Sequence, residues 1–193
     1  NVGEGIWRSV SRTKPCIWRR VLVALSTALM RRSRKSSTSP ASQRSAAAQV
    51  LDSARRHGWR AAVLYLDLDG FKAVNDLHGH AAGDLLLRQV AERLQGCVRA
   101  EDTVSRFGGD EFGLVLATAD AVDDCAQVAG KVLHVLALPF DLDGVRVQVS
   151  ASVGAALFPD HGDDIATLVA CADSAMYAAK KAGKNRFCYS APD

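Results

Sequence analysis

AAVLYLDLDGFKAVNDLHGHAAGD, residues 61–84, is the stretch on which the fold turns. Its first eight residues form a continuous apolar run of strand length with one acid, Asp67, near the end. A strand without polar alternation is covered on both faces, so residues 61–68 read as a buried central strand. Carboxylates at the end of such a strand are costly unless something neutralises them. Asp67 and Asp69 are expected to diverge from the strand, so that one ion would not take both side chains. Taken alone, the Asp-x-Asp also reads as a polar turn leading into the next helix.

Before this strand, a helix over residues 46–57 stops at Gly58. After it, residues 67–84 read as a strand end and loop, and helical periodicity is expected over 81–98, with Leu85, Leu86, Val90, Ala91 and Leu94 on one side. Two short strands, 103–107 and 112–117, flank Gly108, Gly109, Asp110 and Glu111, and adjacent glycines between β-type runs signal a hairpin. A helix over 121–138, one strand over 145–156, a helix over 164–182 and a last strand over 186–189 complete the chain. The expected class is α+β, with helices packed on a mainly antiparallel sheet.

At 193 residues the chain can bury one substantial core, and 48% hydrophobic with 23% charged residues suits a globular domain. The net charge of +3 hides an asymmetry: residues 1–60 carry thirteen Lys or Arg against Glu4 and Asp52, whereas 61–193 carry eleven against nineteen acids. Residues 1–45, rich in Arg and Ser without apolar periodicity, are expected to be poorly ordered, and residues 46–193 to form the domain. The basic front suggests anionic partners, but interleaved aromatics and a recognisable module are lacking, so no nucleic-acid role is expected. The apolar run 21–30 is too short to span a bilayer, and Arg31 to Lys35 interrupt it as a secretion signal. Five cysteines without Cys-x-x-Cys spacing give neither a zinc site nor a disulfide framework, and read as reduced thiols of a cytoplasmic protein.

The acidic body meets a polyphosphate only through cations. Residues 106–112, RFGGDEF, place two acids at a glycine turn, and with Asp67 on a candidate neighbouring strand they make a site of hard oxygen ligands suited to Mg²⁺ or Mn²⁺. The pentapeptide Gly108–Phe112 resembles the signature of the GGDEF family of diguanylate cyclases. The resemblance extends, in order and spacing, through Asp67-Leu68-Asp69-Gly70-Phe71-Lys72, Asn75-Asp76, Gly79-His80-Ala81-Ala82-Gly83-Asp84, Asp173 to Tyr177, Lys180 and Gly183-Lys184-Asn185.

The resemblance implies a nucleotidyl cyclase or polymerase palm, a ferredoxin-like architecture, that condenses two GTP into cyclic di-GMP. It implies that Asp67 and Asp110, with the Leu68 carbonyl, hold two divalent ions per site. Asp110 and Glu111 would activate the ribose 3′-hydroxyl. Phe71, Lys72, Asn75, Asp84, Lys180 and Lys184 would bind substrate, Asn75 and Asp84 at the guanine edge. Lys180 and Lys184, four apart, are expected on one helical face; without the resemblance they read as a basic helix end. Arg99 and Asp102, an Arg-x-x-Asp ahead of the hairpin, resemble the family's inhibitory site for the product, against the alternative of a surface salt bridge.

Members usually open with a segment like Asp-x-Leu-Thr-Gly-Leu-x-Asn-Arg, which is absent here, as if the Arg- and Ser-rich stretch had replaced it. No preceding sensory domain is read, and catalysis is expected to need a homodimer that this chain has no heptads to enforce. The competing reading is a catalytically weak or inactive module that acts as a GTP or cyclic di-GMP receptor.

Overall fold

A computed structural model describes residues 46–118 and 121–191. The expectation of poor order for 1–45 lies outside the described residues. The elements are α1 (Ala46–His57), β1 (Arg60–Asp69), α2 (Phe71–Gln95), β2 (Thr103–Gly108), β3 (Glu111–Thr118), α3 (Ala121–Ala137), β4 (Phe140–Leu142), β5 (Val145–Val147), β6 (Ser150–Phe158), α4 (Ile165–Lys181) and β7 (Arg186–Tyr189).

The apolar run decides the centre. Strand β1 is paired antiparallel to β3 on one side and β6 on the other, in a five-stranded sheet of order β2-β3-β1-β6-β7. Among the described strands only the β6–β7 pair is parallel. Ala62, Leu64, Leu66 and Leu68 face a core built with α2 and α3, while Ala61, Val63 and Tyr65 face a second core with Leu51 and Ala54 of α1 and Leu168, Val169, Ala172 and Met176 of α4. Two residue parities thus feed two helical layers, which is why no alternation is visible in the run. The α+β reading with a mainly antiparallel sheet holds.

Three local expectations need correction. Residues 71–80 are helical: α2 starts at Phe71 and bends at Gly79 (φ 81, ψ 166), so the segment expected to be loop is a helix–kink–helix. Its first half buries only Phe71 and Val74, too few apolar positions to register as a stripe. The strand expected over 145–156 is two, because β5 pairs with β4 in a separate ribbon whereas β6 enters the main sheet and runs on to Phe158. Finally, Asp67 and Asp69 do not diverge, since residues two apart share a strand face.

Small residues let α4 lie directly on β6. A Cβ at Gly154 would come within 2.8 Å of the Ala175 backbone carbon. That approach sets the depth at which Lys180 meets the sheet. Among the described residues no helix is long and apolar enough to cross a membrane, and Cys97, Cys125, Cys171 and Cys188 are free thiols.

Candidate functional site

The turn between β2 and β3 brings the acids together. Gly109 sits at φ 58, a backbone conformation that suits glycine. Arg106 closes the turn by donating from Nε (2.9 Å) and Nη2 (2.7 Å) to the Gly109 carbonyl. The Leu68 N–H donates to the Asp110 carbonyl at 3.2 Å, and the β1–β3 register sets Asp67 opposite Glu111. Asp67, Asp110 and Glu111 therefore meet at one end of the sheet.

Their charges are only partly compensated. Burial pushes the Asp67 carboxyl above its ordinary range, with Asp110 and Glu111 adding to the rise and Lys180 opposing it. Lys180 Nζ, reaching over from α4, lies 2.8 Å from Asp67 Oδ1. Beneath the cluster Tyr65 is fully buried and stacks on Phe107 at 5.1 Å. Its hydroxyl is shifted strongly upward by burial and then by the charges of Glu111, Asp173 and Asp67. It lies on the Glu111 side, yet outside strict hydrogen-bonding geometry.

Such a surplus of hard anionic oxygens fits a divalent cation. Among the described residues no three His, Cys, Asp or Glu side chains close around an ion. A hard cation such as Mg²⁺ or Mn²⁺ that takes few protein oxygens would complete its shell with water and phosphate oxygens.

The remaining expected residues fall into place unevenly. Lys72 is exposed in the first turn of α2, directly after the Asp67–Asp69 strand end. The Phe71 side chain is 9% exposed and belongs to the core, so any contact it makes with a ligand passes through its backbone. Asn75 is half-buried and Asp84 exposed on the two halves of the bent α2. Lys184 does not share a helical face with Lys180: α4 ends at Lys181, and Lys184 (φ 62) and Asn185 (φ 44) form a turn beyond it.

Asp69 is what the sequence reading missed. The residue is 9% exposed, and its carboxylate accepts from Ser150 Oγ and Ser152 Oγ, both at 2.9 Å, and from the Asn185 N–H at 3.3 Å. It ties the end of β1 to β6 and to the turn that bears Lys184. The serines recur at strand period on a strand that is otherwise apolar or small, and that was the signal available.

Arg99 and Asp102 lie apart from this corner. They precede β2, whose six residues separate them from the hairpin turn, roughly 20 Å of extended chain. They are not a salt bridge to each other through their side chains. Asp102 accepts from the N–H groups of Arg99 (2.9 Å) and Ala117 (3.2 Å), while Arg99 Nη2 reaches Asp124 at 3.3 Å. A cleft of about 50 Å³ opens there, bordered by Cys97, Gln127 and Lys131 as well.

The family model described as "Diguanylate cyclase, GGDEF domain" matches residues 42–186. The chain is 46% identical over 141 residues to the bifunctional diguanylate cyclase/cyclic di-GMP phosphodiesterase MucR of Pseudomonas aeruginosa, covering 73% of this chain and 20% of that protein. It is 41% identical over 152 residues to the cyclic di-GMP phosphodiesterase PdeR of Escherichia coli, covering 78% and 23%. The chain thus spans about a fifth of the length of these curated relatives. Among solved structures, the GGDEF domain of TpbB (YfiN) from Pseudomonas aeruginosa superposes with a TM-score of 0.73 at 38% identity, over 76% of this chain and 91% of that one.

Proposed function

The chain belongs to the GGDEF family of diguanylate cyclase domains, and from that premise we propose that it condenses two GTP molecules into cyclic di-GMP with release of two pyrophosphates. The observation that carries this reading is the meeting of Asp67, Asp110 and Glu111 at one sheet end under the Lys180 ammonium. A receptor would gain nothing from holding like charges together at a cost to its own stability.

In this reading Asp67, Asp110 and the Leu68 carbonyl hold two Mg²⁺ or Mn²⁺ ions. When bound, the ions supply positive charge at the attacking and leaving oxygens. Asp110, with Glu111 beside it, draws the proton from the ribose 3′-hydroxyl, whose oxygen attacks the α-phosphate of the second GTP as its pyrophosphate departs, and the reciprocal attack from the second copy's site closes the ring and releases the second pyrophosphate. Lys72, the backbone at Phe71, Lys180 and Lys184 take the phosphates. Asn75 and Asp84 pair with the guanine edge, whose acceptors and donors match an amide beside a carboxylate. Two copies must meet face to face, each with one GTP, so residues 46–193 act as half of a homodimeric catalyst. A GTP-fed reaction belongs in the cytoplasm. Cyclic di-GMP bound at Arg99 and Asp102 restrains turnover from a distance.

Incubation of the purified chain with GTP and Mg²⁺, followed by mass spectrometry, tests the proposal. Cyclic di-GMP and pyrophosphate are expected. Binding of GTP without any product would instead support the receptor reading.

A further inference from the structure

From the packing inside α2 we infer that Gly83 is a positioning residue for base selection, a notch that fixes where the Asn75 amide stands beside Asp84. Gly83 is buried in the interior of a helix, where glycine is the poorest former after proline, so its presence calls for a steric reason. A Cβ built there would overlap Asn75 Oδ1 and stand 2.9 Å from Asn75 Cγ, closer than carbon atoms come without bonding. The bend at Gly79 creates this contact by folding the first half of α2 back on the second.

The consequence is geometric. Asn75 is half-buried, and among the described residues no hydrogen bond pins its amide. Its place is set by shape, which leaves its donors and acceptor free for a ligand. Because Asp84 follows Gly83 directly, an amide seated against the Gly83 backbone stands next to the residue that bears the carboxylate. A guanine edge presents a carbonyl to the amide and two N–H groups to the carboxylate. An adenine edge offers an amino group where the carbonyl should be. Discrimination of this kind depends on position as much as on residue type, since an unmatched polar group in the site is what rejects the wrong base.

The obstructing atom belongs to the far end of a side chain rather than to backbone, so a methyl at position 83 displaces the amide while the helix stays intact. This inference rests on the guanine reading of Asn75, and the experiment separates the two. The α,β-methylene analogues of GTP and ATP are titrated against the full chain, Asn75→Ala, Gly83→Ala and the double variant, with melting curves alongside. Gly83→Ala is expected to weaken the GTP analogue about tenfold, equivalent to about 1.4 kcal/mol, with little change for the ATP analogue. The double variant should be no worse than Asn75→Ala, because both changes remove the same contact. If Asn75→Ala keeps the wild-type preference, the guanine reading itself fails. If Asn75→Ala loses the preference and Gly83→Ala keeps it, only the notch is refuted. Should Gly83→Ala melt well below the parent, Asn75→Gln with Gly83 intact decides the same question: the amide is retained but its reach is one methylene longer, and undiminished preference for the GTP analogue overturns the inference.

Discussion

Replacing Asp69 by Ala is expected to loosen the site from beneath without touching a reacting group. The carboxylate accepts two hydrogen bonds of 2.9 Å from Ser150 and Ser152 and one of 3.3 Å from the Asn185 N–H. A net hydrogen bond to a charged group is worth about 1.5–3 kcal/mol, and a buried partner left unmatched adds its own desolvation. Ser152 is fully buried and would be left so. Against this stands the relief of no longer burying a carboxylate. Counting the two short bonds near their lower limit gives a loss of about 3 kcal/mol. For a domain of this size each kcal/mol lowers the melting temperature by about 2–4 °C, so a drop of about 10 °C is expected by circular dichroism or calorimetry. Asp69→Asn keeps one acceptor and should lose roughly half as much. Both variants release the turn that carries Lys184, so affinity for GTP should fall as well. An Asp69→Ala melt within about 2 °C of the parent would refute the clamp.

Asp110→Ala should abolish formation of cyclic di-GMP while the melting temperature stays close to the parent's, since the residue stands at a hairpin tip; unchanged turnover would remove the proposed mechanism. Asp67 has a folded-state pKa raised above its ordinary value, so the stability it contributes is complete below that ordinary value and is lost as pH rises through the folded one. Asp67→Asn should therefore melt higher than the parent at pH 7, with the gap closing towards pH 4, while product formation is lost; a lower melt at pH 7 contradicts the burial and charge assignment. Arg99→Ala should leave the initial rate unchanged but straighten progress curves that bend as product accumulates, and curves that slow identically would reject the inhibitory assignment. Asp102→Ala is the poorer probe because its carboxylate also holds two backbone N–H groups.

Most elements were legible because their signals are local. An apolar run at both parities announces a strand covered on two faces, and paired glycines announce a turn, whatever the rest of the chain does. Order and spacing of the motifs carried the family assignment. The bent first half of α2 escaped because Phe71 and Val74 alone are buried there, and the splitting of residues 145–156 escaped because the separate pairing of β5 with β4 leaves no mark in the alternation.

What only the tertiary structure decided is which distant groups meet. Lys180 finds Asp67 because α4 can descend onto Gly154. Asp69, expected to diverge from Asp67, shares its strand face and is taken up by serines 81 and 83 residues away. Lys184, four residues from Lys180 on paper, leaves the helix for a turn. Periodicity and turn chemistry are properties of a few adjacent residues, and the sequence by itself determined those. Partners across the sheet depend on strand order and on how closely one element approaches another, quantities that exist only once the whole chain has packed.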